Sequence, residues 1–359
     1  MFLENQVYST MDELIKNKFQ NAVHEQNEII SFTNPKEEFD ALRNGVGIRT
    51  AIGSVIIQIT GKDVLDFLHR ISTNKISDMK LFDTRNTLFL NEKGRFIDRT
   101  TLISLENEHL LVGNRDEDGK LLSWINKYII MEDISASDFS ERYTLLELIG
   151  KQTESFLSML IGNEINSVST NTVKKFYIDG FMFYLFLNIE NNDVKIHKIL
   201  IEKERTADFI EYLFNNKSVF DLLLIGKSAY DAFRIKNKIP AFPNEINDGT
   251  NPYETDLIKD VCFTKGCYIG QEVIARLDTY DKVKRKMILV SAEEHLDFAQ
   301  SITITGDSTS DAGLLTSFSN SELLDEKIGL ALINKKVLEA KEELYVNNGN
   351  KRIALKIAG

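Results

Sequence analysis

Apolar residues recur at helical spacing at the start of the chain: Met11, Leu14, Ile15, Phe19 and Val23 predict an amphipathic helix within residues 11 to 31. Residues 53 to 60 are β-branched and predict a strand, and Lys62 to Arg70 restores the helical period with Val64, Leu65 and Leu68 on one face. Residues 86 to 113 read as three short strands, with turns at Asn91-Glu92-Lys93-Gly94 and Glu106-Asn107-Glu108. Leu121 to Tyr128 predicts a second packed helix and carries the single tryptophan, Trp124. A comparable set recurs as a strand at 143 to 149, a helix at 150 to 161, paired strands at 174 to 189 and a helix at 205 to 215. From about 287 the pattern shortens to strands split by Gly306-Asp307, Ser317-Phe318-Ser319-Asn320 and Asn347-Asn348-Gly349-Asn350, as in a small β-barrel.

These elements predict an α+β fold: two similar ferredoxin-like lobes around a central cleft, followed by a C-terminal barrel. The expected boundaries are a helical extension over 1–35, an α+β region over 36–286 with lobes of about 36–142 and 143–286, and a barrel over 287–359. At 359 residues the chain exceeds what one core usually supports.

Composition narrows the class. No run approaches 18 apolar residues, which argues against a membrane-spanning helix. Met1-Phe2-Leu3-Glu4-Asn5-Gln6 has neither a signal-peptide nor a transit-peptide pattern, so a cytoplasmic location and a monomer are the expectations. Two cysteines, 262 and 267, are too few for a disulfide framework and wrongly spaced for a zinc pair. Cys262, between Val261 and Phe263, reads as core. The histidines at 24, 69, 109, 197 and 295 are scattered, so no protein-only metal site is expected. A net charge of −11 disfavours a general nucleic-acid binder. Arg276, Lys282, Lys284, Arg285 and Lys286 form a local basic stretch, interrupted by Asp278 and Asp281, that is either the solvated edge of a strand or an anion site.

The stretch Lys265-Gly266-Cys267-Tyr268-Ile269-Gly270-Gln271-Glu272 places a thiol two residues after an ammonium, between two glycines, before a short predicted helix from Gln271. A free thiol with a pKa of about 8.5 is mostly protonated at neutral pH, and Lys265 together with a helix N-terminus would lower it. The plainer alternative is a strand ending in a glycine turn with Cys267 packed as a small hydrophobe.

Lys-Gly-Cys-Tyr-x-Gly-Gln-Glu resembles the signature of the YgfZ family, folate-binding relatives of the glycine cleavage T-protein (aminomethyltransferase). Gly53 to Asp63, Phe67-Leu68-His69-Arg70-Ile71-Ser72-Thr73-Asn74 and Leu88 to Asp98 resemble further segments of that superfamily, so the likeness runs from about residue 40 to the C-terminus. The resemblance implies that Cys267 and Lys265 form the working pair. It also implies that Asp98, Arg234, Glu254, Tyr268, Gln271 and Glu272 line a tetrahydrofolate site, with the loops of 226 to 276 over the cleft. Asp98 matches a catalytic carboxylate of the T-protein; as a plain residue it would pair with Arg95 or Arg99. Arg234 matches an "R-I-E-x-G-I-P" arginine, but Lys236 and Lys238 replace the glutamate and glycine, which removes an expected local carboxylate. Glu254 faces the cleft or caps the next helix. The T-protein's "Y-T-G-E" glutamate has no counterpart in Phe176 to Tyr184, where Asp179 is the nearest substitute; folate affinity is expected to be weak or altered and aminomethyl transfer absent.

Three functions follow. The first is a YgfZ-like folate-binding accessory factor whose partners are iron-sulfur enzymes or their assembly proteins. The second is a folate-dependent aminomethyltransferase. The third is a partner in RNA modification acting through the basic stretch.

Overall fold

The computed structural model describes residues 22–25, 28–51, 53–115, 118–280, 282–320, 323, 327–349 and 351–358. Val23–Glu25 (β1) and Glu28–Ser31 (β2) pair antiparallel. The helix expected within 11 to 31, and with it the helical extension over 1–35, is therefore corrected across 23–31; residues 1–21 lie outside the described residues. Ala22, Ile29 and Phe32 pack onto the core of the second lobe. A strand gains roughly 3.3 Å per residue against 1.5 Å for a helix, so the extended arm covers more of that surface.

Pro35–Asn44 (α1) starts where helix chemistry directs: Asn34 accepts from the Lys36 amide at 2.9 Å, and Pro35 occupies the first turn. Its Glu38 is fully buried and accepts from the amides of Phe32 and Thr33, both at 2.7 Å, and of Gly226 at 2.8 Å. Val46–Thr50 (β3) follows.

The first lobe comprises Ser54–Thr60 (β4), Val64–Ile71 (α2), Thr84–Leu90 (β5), Phe96–Ser104 (β6), His109–Arg115 (β7), Lys120–Tyr128 (α3) and Ser135–Asp138 (β8). Its sheet runs β5-β6-β7-β4-β8. Val64, Phe67, Leu68 and Ile71 of α2 lie at i, i+3, i+4 and i+7 and are buried against it, as the sequence pattern requires.

The second lobe comprises Tyr143–Ile149 (β9), Thr153–Ile161 (α4), Val173–Ile178 (β10), Phe181–Ile189 (β11), Lys195–Glu202 (β12), Thr206–Asn215 (α5) and Leu222–Leu224 (β13). The sheet order is β10-β11-β12-β9-β3-β13, so β3, from the stretch 36–142 expected to form the first lobe, is a strand of the second. Val46 and Ile48 are buried in that lobe's core, and Gly47 admits Leu42 and Ile225, which would lie 2.9 Å from an added Cβ.

The two sheets face one another. Ile56, Ile103, Leu110 and Val112 of the first meet Leu145, Tyr184, Phe186 and Leu200 of the second in one apolar cluster. Beyond it, the inter-lobe contact becomes polar. Lys227–Lys236 (α6) and Gln271–Thr279 (α7) flank a long connection leading to the barrel. Arg285–Ala292 (β14), Ile302–Thr305 (β15), Gly313–Ser319 (β16), Lys327–Asn334 (β17), Lys335–Ala340 (α8), Leu344–Asn348 (β18) and Lys351–Ile357 (β19) make up the barrel region, whose strands close in the order β14-β17-β16-β15-β18-β19. The α+β architecture with a C-terminal barrel is thus as the sequence predicts.

Candidate functional site

The loop between Asp260 and α7 is fastened at both ends. At its near end Lys265, 8% exposed, donates to the carbonyl oxygens of His69, of Ser72 at 2.6 Å and of Asn74 at 2.8 Å. These carbonyls lie at and just beyond the C-terminus of α2, where helix geometry leaves acceptors unpaired and the dipole favours a cation. Thr73 adds stitches: its hydroxyl donates to Asp260 O at 2.8 Å, and its carbonyl accepts from the Cys262 amide at 3.0 Å. At the far end Gly270 has φ +84°, and an added Cβ would lie 2.6 Å from Asn91 O and 3.2 Å from Gly94 Cα. Glycine is required there because the β5–β6 turn presses backbone to backbone against the start of α7.

Between these anchors Cys267 is exposed and free, and an added Cβ on neighbouring Gly266 would meet nothing within 4 Å. Lys265, expected to serve the Cys267 thiol, directs its ammonium hydrogens to three backbone carbonyls. Burial draws Lys265 down to about 8, and its charge instead acts on Cys262. Cys262 is half-buried rather than core. Burial raises its thiol, but the Thr264 hydroxyl at 3.5 Å, the amides of Thr264 and Lys265 and the Lys265 charge together leave it below the ordinary value. His69 is lowered by burial and then by the Lys265 charge. Tyr268 is buried with its ring 5.4 Å beneath the ammonium, and burial pushes its hydroxyl up to about 12. Gln271 and Glu272 open α7, Gln271 half-buried and Glu272 exposed.

Asp98, 3% exposed on β6, accepts from the amides of Arg99 at 2.8 Å and Asn114 at 3.1 Å and from the Asn114 side chain at 2.8 Å. Gly113 is close-packed beside it, where an added Cβ would come within 2.3 Å of the carboxylate. Arg99, which sequence reasoning considered only as a partner of Asp98, turns to the other lobe. It donates through Nη1 to Glu190 and through Nε to Asp260, both at 2.7 Å. Glu190, at the end of β11, is held below the usual carboxylate range chiefly by the charge of Arg99, against its burial. Asn188 donates to Thr101 at 3.3 Å along the same seam. Arg99 Nη2 and Thr100 Oγ1 are buried without a hydrogen-bond partner. No sequence signal distinguished Arg99, Glu190 or Asp260, because their partners are 91 and 161 residues away.

Glu254 and Arg234 do not join this seam. Glu254 forms a capping-box arrangement with Asn251, accepting its amide at 3.2 Å, and binds Arg95 at 2.8 Å and Arg285 at 2.9 Å, which ties the β5–β6 turn to the barrel. Arg234 is engaged through each of its three side-chain nitrogens: Nε to Asp231 at 2.6 Å, Nη1 to Glu245 at 3.3 Å and Nη2 to Ser317 at 2.9 Å. The carboxylate missing from the local motif is supplied by Asp231 one turn earlier and by Glu245 from the following loop. Asp179 sits exposed in the β10–β11 turn, at the opposite end of β11 from Glu190. Among the described residues there is no cluster of His, Cys, Asp and Glu suited to a metal ion, and no helix is long and apolar enough to cross a membrane.

Comparison with known proteins agrees with this architecture. The chain is similar to the aminomethyltransferases of Bacillus licheniformis (24% identical over 331 residues, 91% of this chain and 90% of that protein) and Staphylococcus carnosus (25% over 340 residues, 91% and 90%). A chloroplastic transferase of Arabidopsis thaliana is 24% identical over 314 residues, 87% of this chain and 71% of that protein. The crystal structure of glycine cleavage system aminomethyltransferase T from Bartonella henselae superposes with a TM-score of 0.81 at 15% identity, over 98% of this chain and 96% of that one, and so shares the fold. The family model described as the GCVT N-terminal domain matches residues 15–265, and the chain belongs to that family.

Proposed function

We propose that this chain is a tetrahydrofolate-binding accessory protein of the YgfZ kind, serving the assembly or maintenance of iron-sulfur enzymes with Cys267 as its working group. The observation that carries the reading is the loop itself: pinned by Lys265 at one end and the Gly270–Gly94 contact at the other, it leaves an exposed thiol with open space beside it. Such a build positions a nucleophile for a macromolecular partner better than for a buried small substrate. In a strain lacking the protein, the Cys267→Ser variant should leave iron-sulfur enzyme activities at the level of the deletion; full restoration by that variant would remove the thiol from the mechanism.

A folate ring asks for carboxylate acceptors and for donors to its carbonyl. Beside Asp98 on the same face of β6 the buried, unpartnered Thr100 Oγ1 is the donor that fits, whereas Arg99 turns to the other lobe and Arg234 and Glu254 are engaged in ion pairs elsewhere. When bound, tetrahydrofolate would supply one-carbon carrying capacity. The protein side contributes Asp98, oriented by Asn114 in a buried setting. Titration of the purified protein with tetrahydrofolate should show binding weakened at least tenfold in Asp98→Ala, an expectation of about 1.4 kcal/mol or more for a buried charged contact. Absence of any binding by the wild type would end the folate reading.

The similarity to aminomethyltransferases over nine-tenths of the chain supports a second reading, aminomethyl transfer with Asp98 beside the cofactor. Turnover with a lipoyl carrier protein and tetrahydrofolate would place it ahead of the first.

A further inference from the structure

The lysines of the basic stretch fall on one face of the chain entering the barrel. Exposure alternates from Lys282 to Met287, so Lys282, Lys284 and Lys286 point outward while Arg285 turns in to Glu254 and Met287 is buried. Side chains two apart on an extended chain stand about 6–7 Å from each other, which makes a row of three cations. The fold extends that row with sequence-distant residues: the Lys335 amide donates to Lys284 O at 2.8 Å, which brings Lys336 alongside. Arg276 lies one turn before Tyr280 at the end of α7, its carbonyl accepting the Tyr280 amide at 3.2 Å, with the exposed Asp278 between the two. Among the described residues, Arg276, Lys282, Lys284, Lys286 and Lys336 take part in no ion pair; of the basic stretch only Arg285 does, with Glu254.

Protection of a bare sheet edge does not account for these lysines. β14 pairs with β17 along its length, its Val290–Ala292 portion pairs with β19, and its first half is covered by the Met287 amide bonding to Glu254 O and by Ala358 bonding to Leu289 O, both at 2.9 Å. A strand inside a closed barrel has no free edge to defend. On a chain of net charge −11, a concentrated unpaired cationic row calls for an anionic partner. Within it stands Tyr280, 64% exposed, its ring 5.1 Å from the Lys282 ammonium. An aromatic face set among regularly spaced cations matches bases and phosphates together; an acidic polypeptide would engage the cations alone.

We propose that Arg276, Tyr280, Lys282, Lys284, Lys286 and Lys336 form a docking surface for single-stranded nucleic acid, read through backbone charge and base stacking without sequence specificity. It is independent of the folate reading, since it shares none of the groups around Asp98.

The test is fluorescence anisotropy of the full-length protein with a labelled oligouridylate of roughly 15 nucleotides. Four phosphates neutralised on a single strand give a salt slope of about −2.8, so affinity should fall about 50-fold between about 50 and 200 mM salt. Changing Lys282, Lys284 and Lys286 together to Gln should weaken binding at least about tenfold at low salt and flatten the slope. Tyr280→Leu should cost roughly fivefold or more with the slope unchanged. Changing the exposed Lys151, Lys174 and Lys217 of the second lobe to Gln should leave affinity within about twofold, the margin for charges outside the contact. Matching melting curves exclude misfolding of the variants. The proposal is overturned by no binding at low salt, by wild-type affinity in the triple Lys variant, or by oligoglutamate competing as well as oligouridylate, which would make the surface an acidic-polypeptide site.

Discussion

Cys262 and Cys267 stand five residues apart on one loop, and the fold divides between them the two properties that make a thiol reactive. Cys262 receives the Thr264 hydroxyl, two backbone amides and the Lys265 charge, and is half-buried; Cys267 is open to solvent, with free space beside Gly266. Thiolate fraction and access are separate requirements. Spacing along the chain suggested that Lys265 serves the nearer exposed thiol. The backbone turns its ammonium down onto the end of α2 instead, and that turn is what brings the charge to Cys262.

The comparison breaks most severely at Lys265. Lys265→Met should leave the carbonyls of His69, Ser72 and Asn74 without their donor and destabilise the protein by about 3 kcal/mol in chemical denaturation. In the same variant, alkylation of Cys262 at neutral pH, followed site by site by mass spectrometry, should slow by no more than about twofold, because the Lys265 charge is the smallest of the influences that lower this thiol, with Cys267 little changed. Equal slowing at both thiols would mean that the loop had detached as a whole.

Next comes Gly270→Ala. At φ +84° with Asn91 O 2.6 Å from the new methyl, the turn must shift, at a cost of about 2 kcal/mol, and Cys267 should become more reactive than Cys262 relative to wild type. Unaltered stability would show that the two loops are not in close apposition.

The pH dependence sharpens the comparison further. Lys265 titrates near 8 in the folded protein and near 10.5 unfolded. Between these values the unfolded chain holds one more proton, so stability should rise as pH increases from about 8 to about 10.5, and this rise should vanish in Lys265→Met. Over the lower part of that range the Cys262 thiolate loses its neighbouring cation, so its alkylation should grow with pH less steeply than in Lys265→Met. The smallest effect on stability is that of Thr264→Val, which removes the hydroxyl that lowers the Cys262 thiol most; a two- to threefold slower alkylation at neutral pH is expected, more than in Lys265→Met.

Much of the fold was legible. The strands at 54–60, 84–104 and 143–149 and the helices at 64–71, 120–128 and 206–215 carry a clean period of two or 3.6, because each presents one face to a core and one to water or to the other lobe. Val23–Ser31 was not, since its helical apolar spacing was outweighed by what an extended arm buries on the second lobe. The insertion of β3 beside β9 was equally hidden: five residues cannot encode which of two similar sheets they will join. At the site, the motif at 265–272 marked the loop, and Asp98 marked the β6 strand. The seam through Arg99, Glu190 and Asp260 was silent, because a buried charge reads the same in sequence as a solvated one.

By itself the sequence determined the periodicity of the two lobes, the closing barrel, the glycines at which the chain turns, and the presence of an ammonium and two thiols within six residues. Tertiary structure decided which groups those charges serve. Lys265 reaches the end of α2, Arg234 finds Glu245 and Ser317, Glu254 gathers two arginines, and the lysines at the start of β14 gain Lys336 from the end of the neighbouring β17. The reason is physical: apolar burial depends on a local repeat and is written into neighbouring residues, whereas a charge is satisfied over a few ångströms in any direction, by whichever segment the packed core delivers there.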